Sequence, residues 1–143
     1  MSAEFRIHST LLNDCHRLGR LQHCHVLLHR DAALHWFILL PETDYTDLLD
    51  LPNAARSMCI NECAVVSSFL KNNLGYPKVN FASIGNVVPQ LHLHIIGRTP
   101  SDAVWPAPVW GRLATDHRFD QEQLARLCSE LTAAIGLRSV ADS

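Results

Sequence analysis

The sequence predicts an α+β fold built on an antiparallel sheet with two main helices. Two observations carry the prediction. The hydrophobic patterns run strands, long helix, strands, helix, without the regular alternation a parallel sheet requires. The first two strand-like runs also lie only about five residues apart, which favours a hairpin. A short N-terminal helix is expected from Ser9 to Arg17, where Leu11, Leu12, Cys15 and Leu18 recur at helical spacing. Leu21 to His29 reads as a strand ending in an Arg30-Asp31 turn, and Trp36 to Leu40 as a buried strand stopped by Pro41. Pro52 to Leu74 is the strongest helix, with Pro52 suited to a first helical position and Gly75 supplying the left-handed stop. Its inward stripe is Ala55, Met58, Cys59, Cys63, Val66, Phe69 and Leu70. Val79 to Ile84 and Leu91 to Ile96 are two further strands. Gln121 to Ile135 is a second amphipathic helix, with Leu124, Leu127, Cys128, Leu131 and Ile135 inward.

Composition narrows the function classes. At 143 residues and 48% hydrophobic the chain can bury one real core, and it is too apolar to be disordered. No repeat or linker-like stretch divides it, so residues 1–143 are expected as one domain. A net charge of −2 argues against a broad basic face for nucleic acid. No apolar run approaches the roughly 18 residues of a membrane helix, and the first residues lack a secretory apolar core. Five cysteines, without a CxxC pair, read as reduced thiols in a cytoplasmic protein. Nine histidines are unusual for this length.

Two of those histidines form a pattern. In Pro89-Gln-Leu-His-Leu-His-Ile-Ile-Gly-Arg98, strand alternation sends Gln90, His92 and His94 to one face and Leu91, Leu93 and Ile95 to the other. Polar groups in a row over an apolar floor form an exposed platform that a purely structural strand rarely needs. A neutral imidazole is a competent nucleophile near pH 7, provided its second nitrogen is held by an acceptor. A neighbouring imidazole can donate to a phosphoryl oxygen as charge builds there.

The segment resembles the histidine triad (HIT) family signature, His-φ-His-φ-His-φ-φ with φ apolar, except that Gln90 stands at the first triad position. Phe81-Ala-Ser-Ile-Gly-Asn-Val-Val-Pro89 and the Ser101–Trp110 tail resemble the bacterial branch of that family described as diadenosine-tetraphosphate-hydrolase-like. The likeness spans about residues 16–111. It implies a five-stranded antiparallel sheet with two helices, paired in a homodimer into one ten-stranded sheet. It also implies transfer or hydrolysis at the α-phosphate of an AMP-like nucleotide through a nucleotidyl-histidine intermediate, with no cofactor required. By position, His92 is the nucleophile and His94 the phosphate or leaving-group contact. In the family the main-chain carbonyl of the first triad position orients the nucleophile, and that carbonyl survives at Gln90. Many relatives carry a fourth His where this chain has Trp36. His35, one residue earlier, falls on the opposite face.

Around this core the resemblance and the residue types add Asn86 as a donor to phosphate, Asp31 as a ribose contact, and Arg98 as a balancing charge. A turn role stands beside the first two and a solvated rim position beside the third. Trp105 and Trp110, set among prolines, read as anchors of an extended tail on the sheet or a partner subunit, with ordinary core packing the alternative. His8, His16, His29 and His117 show no spacing pattern and are expected at the surface. Two other readings remain. One is a nucleotide-binding module of the same fold with little or no turnover, given Gln90 and Trp36. The other is a zinc site using His92, His94 and either His23 or His25.

Overall fold

A computed structural model describes residues 4–140. Its elements in chain order are α1 (Ser9–Asp14), β1 (Cys15–Arg20), β2 (Cys24–His29), β3 (Trp36–Pro41), a 3-10 turn (Leu48–Asp50), α2 (Asn53–Asn72), β4 (Lys78–Ala82), β5 (Leu93–Arg98), α3 (Gln121–Ile135) and β6 (Arg138–Ser139). The strands form one sheet in the order β4-β5-β3-β2-β1-β6, with every pairing antiparallel. The sheet thus has six strands where five were expected, the sixth being the two-residue β6 at the edge beside β1.

The β2–β3 hairpin forms as expected, with Val26 opposite Leu39 and Leu28 opposite Phe37. Both strands are buried along almost their whole length because both sheet faces are covered, hence their nearly continuous apolar sequence. The helix expected over Ser9–Arg17 stops at Asp14, and Cys15 begins β1. Cys15 packs on one side of the sheet and Leu18 on the other, so a strand buried on both faces produced the three-residue spacing that mimics a helix. β1 also carries a register shift between Arg17 and Gly19.

On one face, α2 and α3 close the larger core. Val66, Phe69 and Leu70 of α2, together with Leu127 and Leu131 of α3, meet Val26, Phe37, Leu39, Leu93 and Ile95. Pro52 is the N-cap of α2 rather than its first residue, and Gly75 supplies the left-handed turn with φ +79°. Ala55 and Met58, expected inward, are exposed on the first turns of α2. Glu62 ties this helix to the β1–β2 turn by accepting from the backbone N–H groups of His23 and Cys24, at 2.9 and 2.8 Å. α3 occupies the expected residues. Asp120 and Gln123 form a reciprocal capping box at its start, worth about 1 kcal/mol.

The opposite face carries a second core of Leu27, Leu34, Trp36, Ile38, Leu40 and Ile96. Among the described residues no helix of comparable length covers it. Phe5 and Ile7 of the N-terminal segment, Val88 of the loop before β5, and Val109 and Trp110 of the 99–113 segment close it instead. That last segment is not the extended tail expected. It folds as successive turns, closed by bonds such as Asp102 N–H to Thr99 O at 3.0 Å and Ala107 N–H to Val104 O at 2.8 Å. Among the described residues, no helix is long and apolar enough to cross a membrane.

Candidate active site

Where loops rather than helices cover a sheet, a cleft can open between them. Here a cleft of about 280 Å³ lies above β3 and β5. Its floor holds His92, His94, Trp36 and Ile38, and one wall is the 84–88 loop with Asn86. Asp14 and Cys15 at the α1–β1 junction, His29 from the end of β2, and Trp110 complete it. Alternation before and along β5 operates as expected, since Leu91, Leu93 and Ile95 lie in the helix-side core. His92 and His94 are not an exposed platform, however. Their residues keep only 7% and 5% of their surface accessible, so they form the bottom of a cleft with loops above.

Partners that can only donate or only accept determine the protons on these rings. His92 Nδ1 lies 2.7 Å from the Gln90 carbonyl oxygen, which only accepts. Nδ1 therefore carries the hydrogen, and in the neutral ring Nε2 keeps its lone pair. His94 is arranged the opposite way. The Trp36 indole N–H donates to His94 Nδ1 at 3.0 Å, so the proton of neutral His94 sits on Nε2. Burial, and after it the nearby rings of His92 and His29, push the His94 pKa down to about 3. The two rings stand edge to face with centroids 4.9 Å apart. Their Nε2 atoms thus present one nucleophilic lone pair and one hydrogen-bond donor.

Sequence reasoning missed His29, placing it at the surface. Its ring stacks on Trp36 at 4.2 Å with an 8° interplanar angle. Its Nδ1 accepts from the Asp31 backbone N–H at 3.1 Å, so this ring too holds its proton on Nε2 when neutral. Burial holds its pKa below the usual value; Arg118 adds to the effect, while Asp14 and Asp31 oppose it. The available signal was hairpin register, because His29 falls one step beyond the Leu28–Phe37 pair and so opposite Trp36. Trp36 does occupy the cleft-facing position. His35 turns to the other side, with Nδ1 2.7 Å from the Tyr76 hydroxyl. Trp110 anchors the 99–113 segment by meeting Trp36 at 5.7 Å and His94 at 5.0 Å, both nearly perpendicular.

Three expected site residues lie outside the cleft lining. The Gln90 side chain clamps the N-terminal segment, with Oε1 accepting from His8 N–H and Nε2 donating to Arg6 O, both at 2.8 Å. A primary amide offers donor and acceptor side by side, as a neighbouring strand would. Asp31 accepts from Thr115 N–H at 2.7 Å, from the Thr115 hydroxyl, and from Ala33 N–H at 3.0 Å, so its carboxylate fastens the 113–118 stretch. Arg98, expected at a solvated rim or beside phosphate, is 1% exposed beneath the 99–107 turns. There it bonds Asp102, Asn80 and the Ala107 carbonyl, and sits 5.5 Å from the Trp105 ring. Of Asn86, Asp31 and Arg98, Asn86 alone lines the cleft, along with His94. No Lys or Arg is among the described residues lining it and one carboxyl group, Asp14, is, so the donors available to an anion there are neutral.

Nor do the described residues gather three or more His, Cys, Asp or Glu side chains suited to a metal ion. His25 instead pairs with Glu42 at 2.8 Å and stacks on Phe5.

An antiparallel sheet backed by two helices, with paired imidazoles where one strand begins, defines the class of fold and site. Residues 11–101 match the HIT domain family. A histidine triad protein of Bradyrhizobium japonicum is 35% identical, with a TM-score of 0.84 over 91% of this chain and 97% of that one. A histidine triad protein of Marinobacter aquaeolei VT8 is also 35% identical, with a TM-score of 0.85 over 93% and 97%. One from Sinorhizobium meliloti 1021 is 30% identical, with a TM-score of 0.86 over 92% and 97%. A search of curated proteins finds no match. The chain belongs to the HIT domain family.

Proposed function

We propose that the cleft binds an AMP-like nucleotide and that His92 Nε2 attacks its α-phosphorus, forming a nucleotidyl-histidine that water hydrolyses or another acceptor takes over. The observation that carries this reading is the 2.7 Å contact between His92 Nδ1 and the Gln90 carbonyl. It leaves the opposite nitrogen unprotonated and in the cleft, as in-line attack requires. The side chain at the first triad position is not needed for that orientation. His94 Nε2–H and the Asn86 amide supply donors to the phosphoryl oxygens. Substrates of this class are dinucleoside polyphosphates, nucleoside phosphoramidates and related esters, in line with the diadenosine-tetraphosphate-hydrolase-like branch that the flanking motifs resemble. The chemistry asks for imidazole and water alone.

The test is intact-protein mass spectrometry after mixing with an adenylated substrate. An added adenylyl group that is absent from His92→Ala supports the reading. Tight nucleotide binding without adduct or product overturns it in favour of a binding module, the alternative favoured by the Gln90 side chain being committed elsewhere. A homodimer belongs to the same proposal. β4 is the edge strand long enough to pair with a second copy, and Phe81 on it is half exposed. Sedimentation of the wild type against Phe81→Lys measures this directly.

A further inference from the structure

An indole N–H donates and never accepts. Its partner in the cleft, His94 Nδ1, must therefore present a lone pair, and the ring cannot take a second proton without setting two N–H groups against each other at 3.0 Å. The same holds for His29, whose Nδ1 faces the Asp31 backbone N–H. The third ring, His92, is the one assigned to attack. A histidine acts as a general acid only from its doubly protonated state, because giving up the last proton would leave an imidazolate. The three imidazoles of this cleft thus include a nucleophile and two fixed neutral donors, but no acid.

Building on the nucleotidyl-transfer reading, we propose that Trp36 is a positioning residue that locks His94 as a neutral Nε2–H donor, restricting the cleft to substrates whose leaving group departs as a stable anion. In the first step the His92 Nε2 lone pair forms a P–N bond while the P–O bond to the leaving group breaks with its electron pair. The proton on His92 Nδ1 stays there, donated in a hydrogen bond to the Gln90 carbonyl. Water then forms a P–O bond, the P–N pair returns to the ring, and the water's proton passes to solvent as the mononucleotide leaves. A phosphoanhydride fits this sequence because its leaving phosphate is acidic, with a second pKa of about 6. An alkylamine does not, since its nitrogen must be protonated before it departs.

Geometry around the ring supports the lock. Trp36 is held on both sides, by the His29 ring stacked at 4.2 Å and by Trp110 at 5.7 Å. Titratable groups facing His94 are His92 just before its strand, His29 on β2, and Asp14 and Cys15 across the cleft. Burial and the neighbouring imidazoles disfavour a cationic ring in the same direction as the Trp36 N–H does.

The test compares wild type with Trp36→Phe, which keeps an aromatic ring beside His29 while removing the donor. Probes share one adenylyl group and differ in leaving group: diadenosine tetraphosphate, AMP esters of phenols of graded acidity, and an AMP alkylamidate. For the wild type the expected rates fall about tenfold per unit of phenol pKa, with the alkylamidate at least about 100-fold slower than the anhydride. Trp36→Phe should flatten that dependence and add an acidic limb to the pH profile. A merely structural role would lower all rates together and leave the slope alone. Long-range ¹H–¹⁵N spectra read the tautomer without turnover. His94 should remain Nε2–H and untitrated from pH 5 to 8 in the wild type, and in Trp36→Phe its titration should move up toward that window while Nδ1 loses its fixed donor. Alkylamidate cleavage within tenfold of the anhydride, an unchanged slope in Trp36→Phe, or a titrating wild-type His94 overturns the proposal. No turnover or adduct with any probe, beside an intact Nε2–H tautomer, overturns the nucleotidyl-transfer reading and the selectivity built on it, while Trp36's hold on the tautomer stands.

Discussion

Replacing Asp102 with alanine breaks a buried ion pair from one side. Arg98 and Asp102 have side chains only 1% and 3% exposed. The guanidinium makes a bidentate pair with the carboxylate, Nε to Oδ2 at 2.8 Å and Nη2 to Oδ1 at 3.2 Å. Its other donors reach Asn80 Oδ1 and Ala107 O, each at 2.8 Å. Asp102 also accepts from Thr99 N–H at 3.2 Å and Val104 N–H at 3.1 Å. Asp102→Ala leaves a buried cation without its anion, and breaking such a pair from one side costs about 3–5 kcal/mol. For a chain near this size that lowers the thermal midpoint by roughly 10 °C or more. The same change loosens the turns that hold Trp110 against His94, so His92 adduct formation should fall as well. Thermal and urea unfolding followed by circular dichroism measure the loss. Adding Arg98→Met should recover much of it, since no stranded charge remains. A single-variant cost below about 1 kcal/mol, or a double variant as unstable as the single, refutes the reasoning.

The same carboxylate makes stability sensitive to acid. Burial alone would raise the Asp102 pKa, but Arg98 and the N–H groups of Thr99 and Val104 outweigh it and hold the carboxyl below the usual range. Burial is likewise outweighed at Asp31, chiefly by the Thr115 hydroxyl and N–H. A folded-state pKa below the unfolded value of about 3.9 contributes stability that is complete well above that value and lost as pH falls through it toward the folded pKa. Urea midpoints should therefore drop on acidification from pH 5 to 3, and less steeply in Asp102→Asn than in wild type. Gly97→Ala tests close packing at β5. A Cβ there would meet Tyr76 ring atoms at 2.6–2.7 Å, so the ring must move and its hydroxyl contact with His35 must weaken. The expected cost by urea unfolding is about 1–3 kcal/mol, and Gly97→Ala should cost less when introduced into Tyr76→Leu than into wild type.

Which parts of this were legible beforehand follows from how far apart the interacting residues lie. The boundaries of α3 and the left-handed stop after α2 are written in neighbouring residues, Asp120, Gln123 and Gly75 among them. Alternation about β5 is equally local, and it separated His92 and His94 from Leu91, Leu93 and Ile95 correctly. Register also sent His35 away from the cleft, because adjacent strand residues face opposite sides. Local pattern failed where a segment is buried on both faces, as at Cys15 and Leu18 of β1, and where a strand has only two residues, as β6 does.

Sequence alone therefore determined the fold class, the long helices and the pair of histidines, since periodicity records which side of its own backbone each residue takes. It could not determine what each side chain meets. Trp36 reaches His94 across 58 residues, and Gln90 reaches Arg6 across 84. Those meetings exist only because β3 lies between β2 and β5, which sets Trp36 beside His29 on one flank and His94 on the other. Arg98 likewise looks like a rim charge until the 99–107 turns fold over it and Asp102 neutralises it. Strand order and loop closure, properties of the whole chain, decided which polar groups are spent on the fold and which are left for the cleft.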